Sequence, residues 1–294
     1  MRAYLPDFGV VNPADLHEAL DALASGENII PLAGGTDLMV YLEAGELPPC
    51  AFLNLQEIRD FQRPPQINAS LVLYPLTTYR DTRVTAAIRQ KFPMLARAAR
   101  EVGALAIQSR GTWAGNIANA SPAADGVPAL MAYDAEVELS SKSGRRSVAL
   151  SRFYTGYKKT ERRPDELITA IRLPLPQPGA FEYYRKVGTR RFQAISKTLL
   201  AGRILLDGDR RVKDARIVLA SVAPYTLRTL KTEAVLQGRE LTLDIIEEAA
   251  RAIQDEIRPI DDIRSTEAYR RHVTSNLVRE FLSSAIHAPG AVAS

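Results

Sequence analysis

Apolar residues at Leu16, Ala19, Leu20 and Leu23 fall on one face of a helix, which Asn12-Pro13 opens and Gly26 closes. The period then changes. Residues 29–33 form a short unbroken apolar run, the pattern of a buried strand, Gly34-Gly35 is a tight turn, and Thr36 begins a second helix that reaches Leu42. After Pro48-Pro49 a further strand is predicted over 50–55, so residues 1–56 read as a small α/β unit. A short strand at 71–74 precedes helices at 77–89 and 93–102. Strands at 136–139 and 146–149 flank Ser143-Gly144 as a hairpin, and 167–173 is the last strand before Pro174, Pro176 and Pro178, which make a stiff linker. Beyond it, 181–187, 203–206 and 215–221 read as strands, with Asp207-Gly208-Asp209 as a hairpin turn, and helices follow at 227–236, 243–257 and 266–286. Strands followed by helices predict an α+β domain at 177–294, behind a first domain at 1–176 whose subdomains are 1–56 and 57–176.

One stretch breaks this pattern. Residues 111–125, GTWAGNIANASPAAD, are almost all small or polar and include no Lys, Arg or Glu. Small side chains cover little apolar surface, so a run of this length suits backbone brought close to a bulky ligand better than it suits a core. Gly111 and Gly115 bracket a turn whose N–H groups can face an anion, and Thr112 and Asn116 add polar side chains at the same edge. Ser121-Pro122 reads as a cap and first helical position, which places Asp125 in the first turn of a helix. The helix dipole alone favours a carboxylate there, so Asp125 is open to two readings, helix-end electrostatics or ligand contact. The strand, glycine turn and helix over 29–42 echo the arrangement, because free N–H groups and a helix dipole together favour phosphate. That segment has neither the glycine spacing of a dinucleotide fingerprint nor the lysine of a P-loop, and such a turn is also plain chain reversal.

Three segments, LAGGTDL at 32–38, GTWAGNIANASPAAD at 111–125 and YYRKVGTRRFQAIS at 183–196, together resemble the FAD-binding subunit of molybdenum hydroxylases, the family of xanthine dehydrogenase and aerobic carbon monoxide dehydrogenase. The resemblance spans nearly the whole chain. It departs at Ala114, where the family usually has the first of two adjacent glycines and a methyl narrows the approach to the ligand. It implies an α+β fold, with a two-subdomain FAD-binding domain of the vanillyl-alcohol-oxidase-like type followed by a smaller α+β C-terminal domain. It implies further that Leu32, Ala33, Gly34, Gly35, Thr36, Asp37 and Leu38 line the pyrophosphate and ribityl region of FAD. Thr112, Gly115, Asn116, Ala118 and Asp125 match the second flavin loop, with Asp125 meeting sugar hydroxyls, and Ile168 matches an apolar residue beside the cofactor. Lys186 matches a lysine near the flavin, where a cation stabilises charge on the reduced ring. The residues alone leave it equally readable as an exposed strand lysine among Arg185, Arg190 and Arg191. Phe192 falls where carbon monoxide dehydrogenases carry an aromatic over the ring, or it is ordinary core; Trp113 is a cofactor wall or a buried tryptophan.

Length and composition narrow the picture. A chain of 294 residues that is 46% hydrophobic and 24% charged is ordinary for a globular protein of about two domains. No apolar run approaches the roughly 20 residues of a membrane span, and the N-terminus lacks a signal-peptide core, so a cytoplasmic location is expected. Cys50 is the only cysteine, which excludes an intrachain disulfide and a cysteine-held cluster within this chain. His17, His272 and His287 are far apart in sequence, and no metal is expected. The net charge of +4 is spread over dispersed arginine pairs, which argues against a nucleic-acid footprint.

No nucleophile–base triad or metal-ligand set is recognisable, so a cofactor that carries the chemistry itself fits these residues better. The resemblance implies two partners, a subunit with two [2Fe-2S] clusters and a large molybdopterin subunit, in a dimer of heterotrimers. Electrons would reach FAD on this chain and leave to an external acceptor. Two other readings stay open. One is a stand-alone FAD-dependent oxidase or reductase, for which the chain is short of a substrate domain; the other is a non-enzymatic adaptor whose glycine loops are only turns. Bound flavin excludes the adaptor, and turnover without other subunits favours the stand-alone enzyme.

Overall fold

The computed structural model describes residues 8–190 and 193–288, so Phe192 lies outside the described residues. A three-stranded parallel sheet comes first, made of β1 (Gly9–Val11), β2 (Ile29–Leu32) and β3 (Ala51–Asn54) in the order β1-β3-β2. Helix α1 (Leu16–Ala24) follows the first strand and α2 (Leu38–Glu43) the second. The α1 cap is Asp15, whose carboxylate accepts the Glu18 N–H; the helix buries Ala19, Leu20 and Leu23 against Leu53, Leu55, Ile58 and Phe61. The periodic apolar face read from the sequence is the face that packs.

The second sheet is antiparallel. Its strands β4 (Gln66–Ile67), β5 (Ser70–Leu73), β6 (Glu136–Ser141) and β7 (Gly144–Ala149) precede a small hairpin of β8 (Tyr154–Gly156) and β9 (Lys159–Thr160). Strand β10 (Leu167–Pro174) then inserts between β5 and β6, giving the order β4-β5-β10-β6-β7. Six short helices lie between β5 and β6: α3 (Tyr79–Val84), α4 (Ala86–Lys91), α5 (Pro93–Glu101), α6 (Leu105–Arg110), α7 (Trp113–Asn119) and α8 (Val127–Ala132). The single helix expected over 77–89 is two, because Thr85 takes an extended ψ of 109° while its N–H and hydroxyl both donate back to the Asp81 carbonyl. Helix α6 was not expected, and α8 starts at Val127 rather than at Ser121. Ser121 instead accepts the Ala123 and Ala124 N–H groups in a local turn.

The third sheet, β11 (Phe181–Val187), β12 (Thr198–Leu206), β13 (Val212–Ala220) and β14 (Leu227–Arg228), is antiparallel in sequence order, and α9 (Leu230–Leu236), α10 (Leu243–Glu256) and α11 (Glu267–His287) follow. Every residue of β12 is buried, since helices cover both faces of this sheet. Leu199 and Ala201 join the cluster that holds Leu130 and Met131 of α8, while Leu200, Ile204 and Leu206 join the cluster of α10 and α11. The strand expected from Arg203 starts instead at Thr198 and runs through two residues unusual for a buried strand, Gly202 and Arg203. Both exceptions are explained by neighbours: Arg203 reaches Asp214 at 3.7 Å, and a Cβ at Gly202 would lie 2.8 Å from the Phe281 ring. Among the described residues, no helix is long and apolar enough to cross a membrane.

Phe281 cannot retreat from an added methyl, being fully buried between Phe181 (6.1 Å, stacked) and Tyr183 (5.6 Å). Gly202→Ala should therefore cost about 1–3 kcal/mol of stability in urea unfolding. Phe281→Leu in the same chain should recover part of that loss; an unfolding midpoint unchanged by Gly202→Ala would show that the packing is looser than the contact implies.

Candidate functional site

Two loops from different sheets meet through their backbones. A Cβ at Gly34 would stand 2.0 Å from the Arg110 carbonyl oxygen and 2.7 Å from its carbon, so only glycine lets the β2–α2 loop touch the end of α6. Gly35 next to it has φ +74°, the left-handed region that a turn into α2 requires here. Gln56 Nε2 donates to the Ala33 carbonyl at 2.9 Å and fixes where the loop starts. Among the described residues, nothing accepts from the N–H groups of Gly34, Gly35, Thr36 or Asp37. Four free donors in one turn are a nest for an anion.

The second loop is held from below. Tyr79 N–H donates to the Gly111 carbonyl at 3.3 Å and Trp113 N–H to the Thr77 carbonyl at 3.2 Å, while the indole Nε1 donates to Thr82 Oγ1 at 2.7 Å. Trp113 is fully buried, edge-on to Tyr79 at 4.9 Å, so it is the anchor of α7 and not a wall of the site. The stretch 111–125 therefore does contribute core: Trp113, Ile117 and Ala120 face inward. Its smallness serves the other side of α7, where Gly115, Asn116, Ala118 and Asn119 line a cavity. Thr112 Oγ1 caps the helix by accepting the Gly115 N–H at 3.0 Å, and Ala120 ends it in a left-handed turn at φ 50°.

That cavity, of about 360 Å³, gathers most of the residues singled out from the sequence. Ala33, Gly34, Gly35, Thr36, Asp37 and Leu38 line one wall, Thr112, Gly115, Asn116 and Ala118 the opposite one, and Ile168 of β10 a third. Ala114, with its extra methyl, is also on the wall. Leu32 is not; it sits beneath Gly35. A second cavity of about 680 Å³ adjoins the first, the two sharing Thr36, Asp37, Tyr79, Asn116 and Asn119. Each lies within the usual size range of small-molecule sites. Residues 121–125 line the second cavity with Ser196, Ser221 and Arg270 from the C-terminal part of the chain.

Asp125 stands where the two parts of the chain meet. Lys186 Nζ donates to its Oδ2 at 2.7 Å and to the Glu101 carbonyl at 2.9 Å, Ser196 Oγ donates to its Oδ1, and Tyr184 OH donates to its backbone carbonyl at 3.0 Å. Helix-end electrostatics is thus not what holds this carboxylate. Burial raises its pKa above the ordinary 3.8, and Lys186 and Ser196 offset part of the rise. Lys186 itself lines neither cavity; its side chain is 4% exposed and its charge is committed to Asp125. Sequence reasoning missed Tyr41, Tyr79, Asn119, Lys158, Arg162 and Ser221, all of which line the cavities. Tyr41 had a signal, since it lies one helical turn beyond Asp37 and shares its face. Its hydroxyl donates to Asn119 Oδ1 at 3.2 Å, joining α2 to α7. Ser221 had none: its φ of +65° and its carbonyl bond from Arg270 Nη1 at 2.8 Å depend on Arg270 being held by Asp262 at 2.7 Å.

Residues 6–176 match the FAD binding domain in molybdopterin dehydrogenase, and residues 182–285 match the CO dehydrogenase flavoprotein C-terminal domain. The chain belongs to this family of flavoproteins. It is a flavoprotein component of the molybdopterin dehydrogenases, which are oxidoreductases, and FAD is its cofactor. The glyceraldehyde dehydrogenase medium chain of Sulfolobus acidocaldarius is 31% identical over 274 residues, covering 93% of this chain and 96% of that one. The xanthine dehydrogenase FAD-binding subunit of Escherichia coli O157:H7 is 27% identical, covering 94% and 95%. A chain of the carbon monoxide dehydrogenase of Hydrogenophaga pseudoflava superposes with a TM-score of 0.91 at 26% identity, over 96% of this chain and 98% of that one. The geometry of this flavoprotein fits the cofactor on independent grounds. The N–H nest suits a diphosphate, and Asn116 Oδ1 and Ser221 Oγ are buried at the cavity walls without a partner among the described residues.

Two outcomes test this construction. Gly34→Ala must push the two loops apart against backbone, and FAD affinity should fall about tenfold or more, whereas Gly208→Ala in open space should change nothing. Equal FAD titrations for both variants would show that the loop contact is not needed. Lys186→Met leaves Asp125 buried without a counter-charge and should cost about 3–5 kcal/mol, part of which Asp125→Asn in the same chain restores. The pH dependence has a defined sign. Because the folded pKa of Asp125 is raised, its contribution to stability is largest below about pH 4 and falls as pH rises through the raised value. In Lys186→Met that fall should extend to higher pH, as urea unfolding at several pH values would reveal.

Proposed function

We propose that this chain is the FAD-carrying electron-transfer subunit of a cytoplasmic molybdenum hydroxylase, working beside an iron–sulfur subunit with [2Fe-2S] clusters and a molybdopterin-containing large subunit in a dimer of heterotrimers. The observation that carries the reading is the pair of adjoining cavities, a smaller one walled by glycine-loop backbone and a larger one that includes Ser196, Ser221 and Arg270 from the C-terminal part of the chain. Bound FAD supplies the redox chemistry, taking up electrons from one partner and releasing them to an external acceptor. Every other task falls to the chain itself.

The free N–H groups between Gly34 and Asp37 hold the diphosphate, with Ala33 and Leu38 flanking the loop and Leu32 supporting Gly35 from below. Thr112, Gly115, Asn116 and Ala118 present the small face of α7 to the cofactor, and Ile168 excludes water from the third side. Asp125 accepts from sugar hydroxyls, and Lys186 acts through Asp125 by fixing its position and charge. The work divides between residues 1–176, with subdomains 1–56 and 57–176, and residues 177–294.

A partner is needed because one cysteine, Cys50, cannot hold an iron–sulfur cluster. Tyr157, Ile195 and Ile260 line the second cavity yet stay more than half exposed, an apolar rim of the kind that a protein partner covers. The relatives carry the same division in their names, as medium chains and FAD-binding subunits of dehydrogenases. Reconstitution is the test. The isolated chain should bind FAD but show little substrate-driven flavin bleaching until its co-expressed subunits are added. Bleaching by the isolated chain at the rate of the assembled complex would make it a self-contained oxidase or reductase instead.

A further inference from the structure

We infer that Lys158, at the tip of the β8–β9 hairpin, is the cation that neutralises the diphosphate of FAD in the first cavity. This inference rests on the placement of the diphosphate at the Gly34–Asp37 turn proposed above. The nest there offers N–H dipoles but no formal charge, and Asp37 brings a carboxylate into the same cavity. A diphosphate confined beside that carboxylate calls for a cation within a few ångströms.

Among the described residues, two cationic side chains line this cavity, Lys158 and Arg162. Arg162 is partly committed: its Nη1 donates to the Arg163 carbonyl at 3.1 Å and to the Glu166 carbonyl at 2.8 Å, which ties the guanidinium to the turn leading into β10. Lys158 is not. Among the described residues its ammonium has no hydrogen bond and no ion pair, and it sits 5.0 Å from the centre of the Tyr41 ring and 6.0 Å from that of Tyr157. Aromatic faces hold a cation loosely and leave its three donors free for another acceptor. Enclosure in the cavity raises the Asp37 carboxyl's pKa and the nearby Lys158 charge opposes that rise, which places the amine within electrostatic reach of the nest.

The hairpin is built to keep it there. Tyr154 OH donates to the Ile117 carbonyl of α7 at 3.2 Å, and Gly156 pairs with Lys159 across the turn. Lys158 itself adopts φ +52°, uncommon for a non-glycine residue. As a result Tyr157 lines the second cavity and Lys158 the first, so that adjacent residues serve neighbouring cavities. The Tyr41 hydroxyl, bonded to Asn119, fixes the ring against which the ammonium rests.

The experiment compares two ligands on the flavin-stripped full chain, followed by quenching of flavin fluorescence at several salt concentrations. FAD carries the diphosphate and riboflavin does not. Lys158→Met should weaken FAD about tenfold at low salt and flatten its salt dependence, leave riboflavin affinity as in the wild type, and be rescued largely by Lys158→Arg. An unchanged FAD affinity and salt slope in Lys158→Met overturns the inference, as does an equal loss for riboflavin, which would mean a structural role. If the wild-type chain discriminates neither ligand and binds both only weakly, the placement of the diphosphate falls first and the role of Lys158 falls with it.

Discussion

The site depends on one contact with no side chain in it: the backbone of Gly34 against the backbone of Arg110. Glycine at 34 lets a loop from the parallel sheet reach a loop from the antiparallel one, and the surfaces on either side become the walls of a single cavity. Everything else near it works to keep those backbones in register. Trp113 fastens the second loop to α3 through Thr82, Thr112 caps the helix that presents the small residues, and Tyr41 bonds to Asn119 across the gap. Two of these bonds use donors of the second loop, the Trp113 indole N–H and the Gly115 N–H. The first loop keeps the four N–H groups of Gly34 to Asp37 free among the described residues.

The far end of the site depends on a charge taken out of water. Asp125 is tolerated in its buried position because Lys186 of β11 and Ser196 of the loop between β11 and β12 meet its two oxygens. Since β12 is covered on both faces, its neighbour β11 holds Lys186 with little freedom, and the carboxylate inherits that rigidity. A pre-positioned acceptor of this kind loses little entropy when a ligand hydroxyl arrives.

What the sequence makes legible follows from how local each cause is. The strand, glycine turn and helix at 29–42 could be read because apolar run, turn and helix start are all encoded within a few residues. The small residues of 111–125 announced a ligand-facing surface, but the same stretch also carries the buried anchor Trp113, and composition does not separate two faces of a seven-residue helix. Ser121-Pro122 suits both a helix cap and a turn, and its surroundings include the bond that Asp125 accepts from Lys186, 61 residues away, which no local pattern announces. The beginning of β12 was hidden for a similar reason, since Gly202 answers to Phe281 and Arg203 to Asp214, neither adjacent in sequence. Lys158 had no local signature at all, because its position is set by the docking of Tyr154 on Ile117.

The sharing of Asp125 between two parts of the chain bears on how such proteins can be recombined. A chimaera that keeps residues 6–176 from this chain and takes the C-terminal domain of a relative would inherit one half of an ion pair and need the other half from the donor. A lysine equivalent to Lys186 on the strand and a serine equivalent to Ser196 in the loop after it are then a condition of compatibility that percentage identity does not measure. Domain exchange in this lineage is therefore limited by the chemistry of a three-residue seam.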